Sequence, residues 1–583
     1  MKKLIHSKKN AAIAQGTDIP RSDNQIVNYV SDNLDHNICS LDGKMPFHGM
    51  GTIACSTPAA SVKMIISRKR VNAHDIAEVN RIKIHISDEF LSSDRNMYSD
   101  FKSKDSLDYH INMLWHCSLL FGKPAPTWSG FMQMVHKGPH PGKASVSFMP
   151  MIDMDPSDPT CILSTLIFVH GNASKNGITP VLTFDLPLYW KSFLIIQNTT
   201  KHTYLKDIVL RLGPFHAEMS FAGVLGHNMD GSGLEAAIEL LYASPDHILS
   251  GKAISRAVRF HILSLAVLRV LILMDCFELK GNPFSTDEDE KTEYLNNLKS
   301  SECFLLICQL EKDMEKVVNQ EMHPNDVNDL PAMSKVVDLM NVKCAELKAH
   351  RTSKLWLQHM ESVMLLQHFI MAERLGMWEL HLACLRKMLP LFASSGHNLY
   401  CKVASVYLDE MDQLPSKHPD VYSLFLQGHH VIRRSDREWG GVSSDLAIEQ
   451  LLMRSVKSSG GLTRGTGMTE NCRTIWVLSR PICSMVHNAM QELTGVEHRT
   501  SEQNRGMSPS KISRDWHDMN VLYRFFRERN PFDVEGELVN ISTGIRAFDN
   551  VNVDDAFAVG EHILQDMSGK SVSQHTFKKN TRQ

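Results

Sequence analysis

Two aspartates and a distant glutamate are the residues of this chain best suited to chemistry. Asp153 closes the apolar run VSFMPMID, residues 146–153, and Asp185 closes TPVLTFD, residues 179–185. Glu449 lies far downstream, four residues after Asp445, on a segment that reads as a helix. Carboxylates gathered at one edge of a sheet concentrate the negative charge that a hard divalent cation needs. Mg²⁺ (or Mn²⁺) is held by oxygen ligands, often one or two carboxylates plus substrate phosphates. Such ions stabilise the attacking and leaving oxygens of phosphoryl transfer. His216, after Gly213-Pro214-Phe215, is a fourth candidate, as a metal ligand or phosphate contact. Each candidate has a plainer role. Asp185 stands directly before Leu186-Pro187, where aspartate caps a helix, and Asp153 begins a turn-like MIDMDPSDP, where aspartate bonds locally. Glu449 sits between Ile448 and the apolar LLM, which suggests partial burial and a need for a partner.

A second constellation is basic. Arg433, Arg434 and Arg437 precede Trp439, and Arg454, Lys457 and Arg464 extend the cluster into the glycine-rich GGLTRGTGMTE. Arginines beside flexible glycines can follow a phosphate backbone. Interleaved Asp436 and Glu438 fit a solvated surface equally well. The glycine-rich run lacks the Lys-Ser/Thr of a phosphate-binding P-loop, and neither a GxSxG elbow nor an HExxH helix occurs.

The elements that must position these residues follow from the hydropathy pattern. Residues 1–35 are polar with alternating charge and read as a flexible N-terminal arm. Residues 36–145, rich in turn signals, read as an irregular α+β region. Residues 146–249 alternate strand and helix: 146–153, 179–185 and 207–213 as strands, each followed by a helix. Ser157 or Asp158 caps the first helix and Pro159 suits its first turn. Short links between alternating elements predict parallel strands with crossover helices, and ligands of such sheets bind beyond the carboxyl ends of the strands. Residues 250–425 show apolar positions at three- and four-residue intervals and no fixed repeat, which predicts a large all-helical insertion. Residues 426–495 complete the core with the basic, glycine-rich segment, and residues 496–583 form a C-terminal region ending in a disordered tail. The fold class expected is an α/β core with parallel strands, interrupted by helices and helix-rich overall.

Bulk properties set limits. The 583 residues carry a net charge of −3, so no global positive field draws the chain to nucleic acid, and any DNA contact rests on local patches. Twelve cysteines without a CxxC pair fit reduced thiols better than a zinc module or disulfide scaffold. The apolar stretch at residues 260–279 contains Arg269 and Asp275, charges costly in lipid, and is expected to be a buried core helix with no membrane contact.

The stretches FMPMIDMDPSD, PVLTFDLPLYWK, LGPFHAEMSFAGVLGH and HPDVYSLFLQGHHVIRRSDREWGGVSSDLAIEQLLMRS, with GGLTRGTGMTE, resemble an uncharacterised multicopy, transposon-associated eukaryotic protein family. More distantly, the order of Asp185, Gly213-Pro214-Phe215-His216 and Glu449 is similar to transposases of the Kyakuja–Dileera–Zisupton type, in which a helical insertion precedes a late glutamate. That resemblance implies an RNase H-like core and metal-dependent DNA strand cleavage and transfer, with Asp153, Asp185 and Glu449 holding Mg²⁺ and His216 beside them. It implies DNA as partner and a nuclear site of action within an intracellular protein, and is compatible with a homo-oligomer. The chain departs from that group in lacking a cysteine-rich zinc module and in the IEQ context of its glutamate, so the core is either active or degenerate. The alternative is a non-enzymatic helical interaction scaffold of mobile-element origin.

Overall fold

The computed structural model describes residues 19, 25–37, 46–59, 110–457, 477, 480, 481, 484, 506–532 and 536–567. Its organising element is a five-stranded sheet of order β3-β2-β1-β4-β5. The strands are β1 (Ile26–Asn37), β2 (Pro46–Thr57), β3 (Ser145–Phe148), β4 (Val181–Phe184) and β5 (Val209–Leu212). β1 and β2 pair antiparallel from Ile26↔Thr57 to Asn37↔Pro46, and β3 continues the meander antiparallel to β2. β4 lies parallel to β1, and β5 parallel to β4.

This mixed sheet corrects the expected parallel arrangement in two places. Residues 26–35, assigned to a flexible arm, form most of the central strand, and residues 46–57 form its long antiparallel neighbour. The first expected strand, 146–153, is strand only over Ser145–Phe148 and lies at the sheet edge, separated from β4 by β2 and β1. The reason is that β1 is buried on both faces although half of it is polar. Val30 and Leu34 pack in one apolar cluster with Ile448, Leu452 and Met453. On the opposite face the Tyr29 hydroxyl donates to Asn172 Oδ1 at 2.6 Å. Two of its polar residues are buried with partners: Asn28 donates to the His429 carbonyl at 2.9 Å, and Ser31 and Thr52 share a hydroxyl hydrogen bond of 2.7 Å. Burying such groups is tolerated only when they are bonded.

The three helices expected after strands are present at Pro159–Lys175, Leu186–Asn198 and Pro214–Asn228. Asp158 and Asp185 cap the first two, each accepting a backbone N–H, and all three carry proline in the first turn, where its missing N–H costs nothing.

Between Ile254 and Leu426 the named elements are all helical, as the periodicity predicts. The Ile254–Cys276 helix is long and apolar enough to cross a membrane, but 89% of its most apolar window is buried inside the protein. Residues 506–567 are built into the same body. The Pro509–Arg529 helix is tied to Ile254–Cys276 through Arg259, whose Nη2 bonds Asp518 Oδ2 at 2.6 Å and whose Nε bonds Asp515 Oδ1 at 2.9 Å. The Ala556–Met567 helix lies so close to Trp378–Ser394 that a Cβ on Gly560 would collide with the Pro390 carbonyl. The tail beyond residue 567 lies outside the described residues. Among the described residues every cysteine is a free thiol.

Candidate functional site

β1 and β4 bring together a pair of carboxylates that includes one not singled out by the sequence. Val30 is level with Thr183 in the parallel ladder, so continuing that register by two residues sets Asp32, in the middle of β1, beside Asp185 at the end of β4. Asp32 is only 3% exposed. Its side chain lies on the face of Val30 and Leu34, because residues two apart share a strand face, and that face is covered by the Ser444–Ile448 helix and the π-helical turn Glu449–Met453. A π turn of this kind often occurs at functional sites.

Asp32, Asp185, His216 and Glu449 form one electrostatic group. Burial, then the charge of Asp185 and more weakly that of Glu449, pushes the Asp32 carboxyl up to about 8, while His216 and the Asn33 N–H that bonds Oδ1 at 2.8 Å pull it down. Asp185 is also raised, chiefly by burial and further by Asp445, although the Leu188 N–H and His216 oppose this. Without a cation, Asp32 therefore keeps its proton at neutral pH. Glu449 is half-buried at the start of the π turn.

A second device holds the site in place. Asp445, 2% exposed, accepts the Phe215 N–H at 3.1 Å, the His216 N–H at 3.0 Å and the His216 ring Nδ1 at 3.0 Å. The Pro214–Asn228 helix has glycine at its N-cap and no side-chain cap of its own; Asp445 supplies that cap from 230 residues away in sequence. A carboxylate is favourable there because the helix N-terminus exposes N–H groups and positive dipole. The close approach requires Gly213, since a Cβ there would stand 2.5 Å from Asp445 Oδ2. Burial alone would lower the His216 pKa, but the hydrogen bond and charge of Asp445, then Asp32 and Asp185, raise it to about 9. His216 is thus a cation among carboxylates, and to ligate a metal it must first lose its proton.

The residues expected from sequence are distributed as follows. Asp185, His216 and Glu449 belong to the group. Asp153 does not join it: it follows Ile152, which bridges to Met50 of β2, so β2 separates it from β1, and it is exposed. The carboxylate that does stand beside Asp185 is Asp32. Arg433 is not available to a nucleic acid, being 1% exposed and donating to the Gly428 and Leu375 carbonyls at 2.9 and 2.6 Å. Trp439 is likewise buried, packed edge-on against Trp128. Arg434 is half-buried and donates to Gln450 Oε1 at 3.1 Å, whereas Arg437 and Arg454 are exposed. The Lys457 side chain, Arg464 and the glycine-rich run lie outside the described residues. Asp32 escaped notice because its segment is polar in composition; the signal available was the strand-like IVNYV that leads into it.

Among the described residues no group of three or more His, Cys, Asp or Glu side chains is arranged to hold a metal ion. Asp32, Asp185 and Glu449 share an electrostatic field.

The chain belongs to the family described as a domain of unknown function (DUF8702), which matches residues 127–583. That match includes Asp185, His216, Asp445 and Glu449 and begins after β1 and Asp32. No curated protein and no solved structure matches the chain.

Proposed function

We propose that this protein carries a metal-dependent phosphodiester-cleaving core of the DDE-transposase type on an RNase H-like sheet, with Asp32, Asp185 and Glu449 as its carboxylates. The observation that carries this reading is the pairing of Asp32 with Asp185. A three-stranded antiparallel meander extended by two parallel strands, with one aspartate in the central strand, one at the end of the fourth and an acid on a later helix, supports the reading. The donor set suits Mg²⁺ or Mn²⁺, which take carboxylate oxygens and complete their shells with water and phosphate. A cation there would draw the Asp32 proton off and supply Lewis-acid stabilisation of the reacting phosphate. The chain's own contribution is to hold the two aspartates on adjacent strands and to fix His216 through Asp445. Arg437 and Arg454 would contact the DNA backbone, where arginines set position without reading sequence.

A non-enzymatic scaffold of mobile-element origin is favoured by one observation: Asp185 and Asp445 already accept backbone N–H groups as helix caps. Titration with Mn²⁺ followed by electron paramagnetic resonance separates the two readings. The wild type should bind Mn²⁺ and cut supercoiled DNA in its presence, and Asp32→Asn and Asp185→Asn should each lose both. Wild-type protein that binds no Mn²⁺, or an Asp185→Asn variant that cleaves normally, would leave the scaffold as the reading.

A further inference from the structure

A cavity of about 760 Å³ opens among the helices, distinct from the carboxylate group. Its lining comes from the His110–Ser118, Ile254–Cys276, Pro331–Leu347, Arg351–Leu375 and Trp378–Ser394 helices, the Val553–Asp555 turn and the start of Ala556–Met567. That volume is in the range of pockets that hold small organic ligands.

The cavity wall holds a buried cation to which no acid is hydrogen-bonded; Glu361 acts on it only weakly, through charge. Arg269 is 9% exposed. Its guanidinium meets two thioethers, Met113 Sδ at 3.2 Å and Met364 Sδ, which are weak acceptors. Its Nε has no hydrogen-bond partner among the described residues. Burial lowers the Arg269 pKa to about 10, which leaves it charged at neutral pH. A buried guanidinium facing only sulfur is costly, because such charges are normally paired with carboxylate or phosphate.

Neutral donors accompany it. Both amide atoms of Gln367, 0% exposed, and Asn112 Nδ2 lack partners among the described residues; His116, also 0% exposed, lies beside them with its ring against the Asn112 backbone. His116 lies close enough to Arg269 for that charge, after burial, to hold its ring far below the usual range and therefore neutral. The acids of the lining are already engaged. Glu361 pairs with Lys348 at 2.9 Å, Asp554 with Arg351 at 2.7 Å, and Asp555 with Lys354. Subtracting those pairs leaves Arg269 and Lys387 as the cations of the wall, with Leu365, Leu391 and Phe557 as apolar surface.

We infer that this cavity binds a small organic oxyanion whose phosphate or carboxylate group is held by Arg269 and whose body rests on the apolar wall. A planar guanidinium fork matches either group in a two-point hydrogen bond. The unpartnered side-chain amide donors of Gln367 and Asn112 complete its contacts. This assignment is independent of the carboxylate site and stands or falls without it.

The test is thermal melting and calorimetric titration of the full chain with pyrophosphate and, separately, citrate, in metal-free buffer. One of them should raise Tm and bind at millimolar concentration or tighter, and the stronger identifies a phosphate or a carboxylate ligand. Arg269→Met should stay folded, since it replaces an unpaired buried charge by an apolar side chain of similar length. It should weaken binding about tenfold or more, the loss expected for a hydrogen bond to a charged group. Lys387→Ala, at a half-buried wall position, should weaken it less. Wild-type protein insensitive to both anions, or Arg269→Met that responds as the wild type does, would overturn the assignment.

Discussion

At the scale of single residues, Asp32 has the clearest measurable consequence. Its folded pKa of about 8 stands above the ordinary 3.8, so between those values the unfolded chain gives up a proton that the folded chain keeps. Stability contributed by the protonated carboxyl is complete below about pH 4 and declines as pH rises toward 8. In chelator-treated protein, urea denaturation should show wild-type stability falling across this window relative to Asp32→Asn. The difference should reach several kcal/mol, on the order expected for a shift of this size. Mg²⁺ should flatten the slope if the carboxyl ligates it. A slope identical in the two proteins would mean that Asp32 titrates as an exposed acid. His216 works in the same sense at higher pH: its pKa is raised from 6.5 to about 9, so the stability it contributes is complete below about pH 6.5 and is lost as pH rises toward 9.

At the scale of elements, the decisive joint is between the Pro214–Asn228 and Ser444–Ile448 helices. One helix lacks its own cap and the other supplies it through Asp445. Gly213 is also bonded to the end of β4, its N–H donating to the Phe184 carbonyl at 2.8 Å. Gly213→Ala would set a methyl group 2.5 Å from Asp445 Oδ2 and 3.1 Å from that carbonyl. Such overpacking typically costs about 1–3 kcal/mol. Chemical denaturation should detect that loss, and it should come with weakened Mn²⁺ binding, because Asp185 caps the helix that begins at the same sheet edge. A variant as stable as the wild type would show that Asp445 can withdraw, and that the cap is dispensable.

For the whole molecule, the C-terminal helices act as braces on the helical body. Ala556, Leu564 and Met567 are each at most 5% exposed, and Asp554 and Asp555 hold Arg351 and Lys354. A chain ending at residue 535 would expose the Trp378–Ser394 helix and lose these pairs. Burial of each large apolar side chain contributes about 1.5–3 kcal/mol, so Tm should fall by several degrees or the chain should become insoluble. An unchanged melting curve would show that residues 536–583 are an independent attachment. The same truncation removes Phe557 from the cavity wall and should weaken the binding of oxyanions.

The local elements were legible in the order of the amino acids alone. Proline and aspartate at helix starts, together with short runs of β-branched and large apolar residues, set β4, β5 and the three helices that follow strands, because caps and periodicity act over a few neighbours. It also set Asp185, His216 and Glu449 as candidates, and the burial of the apolar stretch around Arg269. Only the tertiary structure decided that the polar segment at residues 26–37 is the central strand, since its polar side chains find partners at Thr52 and His429 that no local pattern reveals. It likewise set Asp32 rather than Asp153 beside Asp185, turned Arg433 from an expected surface cation into a buried clamp on two carbonyls, and made Asp445 the cap of a distant helix. Each of these depends on which distant residue arrives next to it. Hydrogen bonding and desolvation are decided by that neighbour rather than by position in the chain.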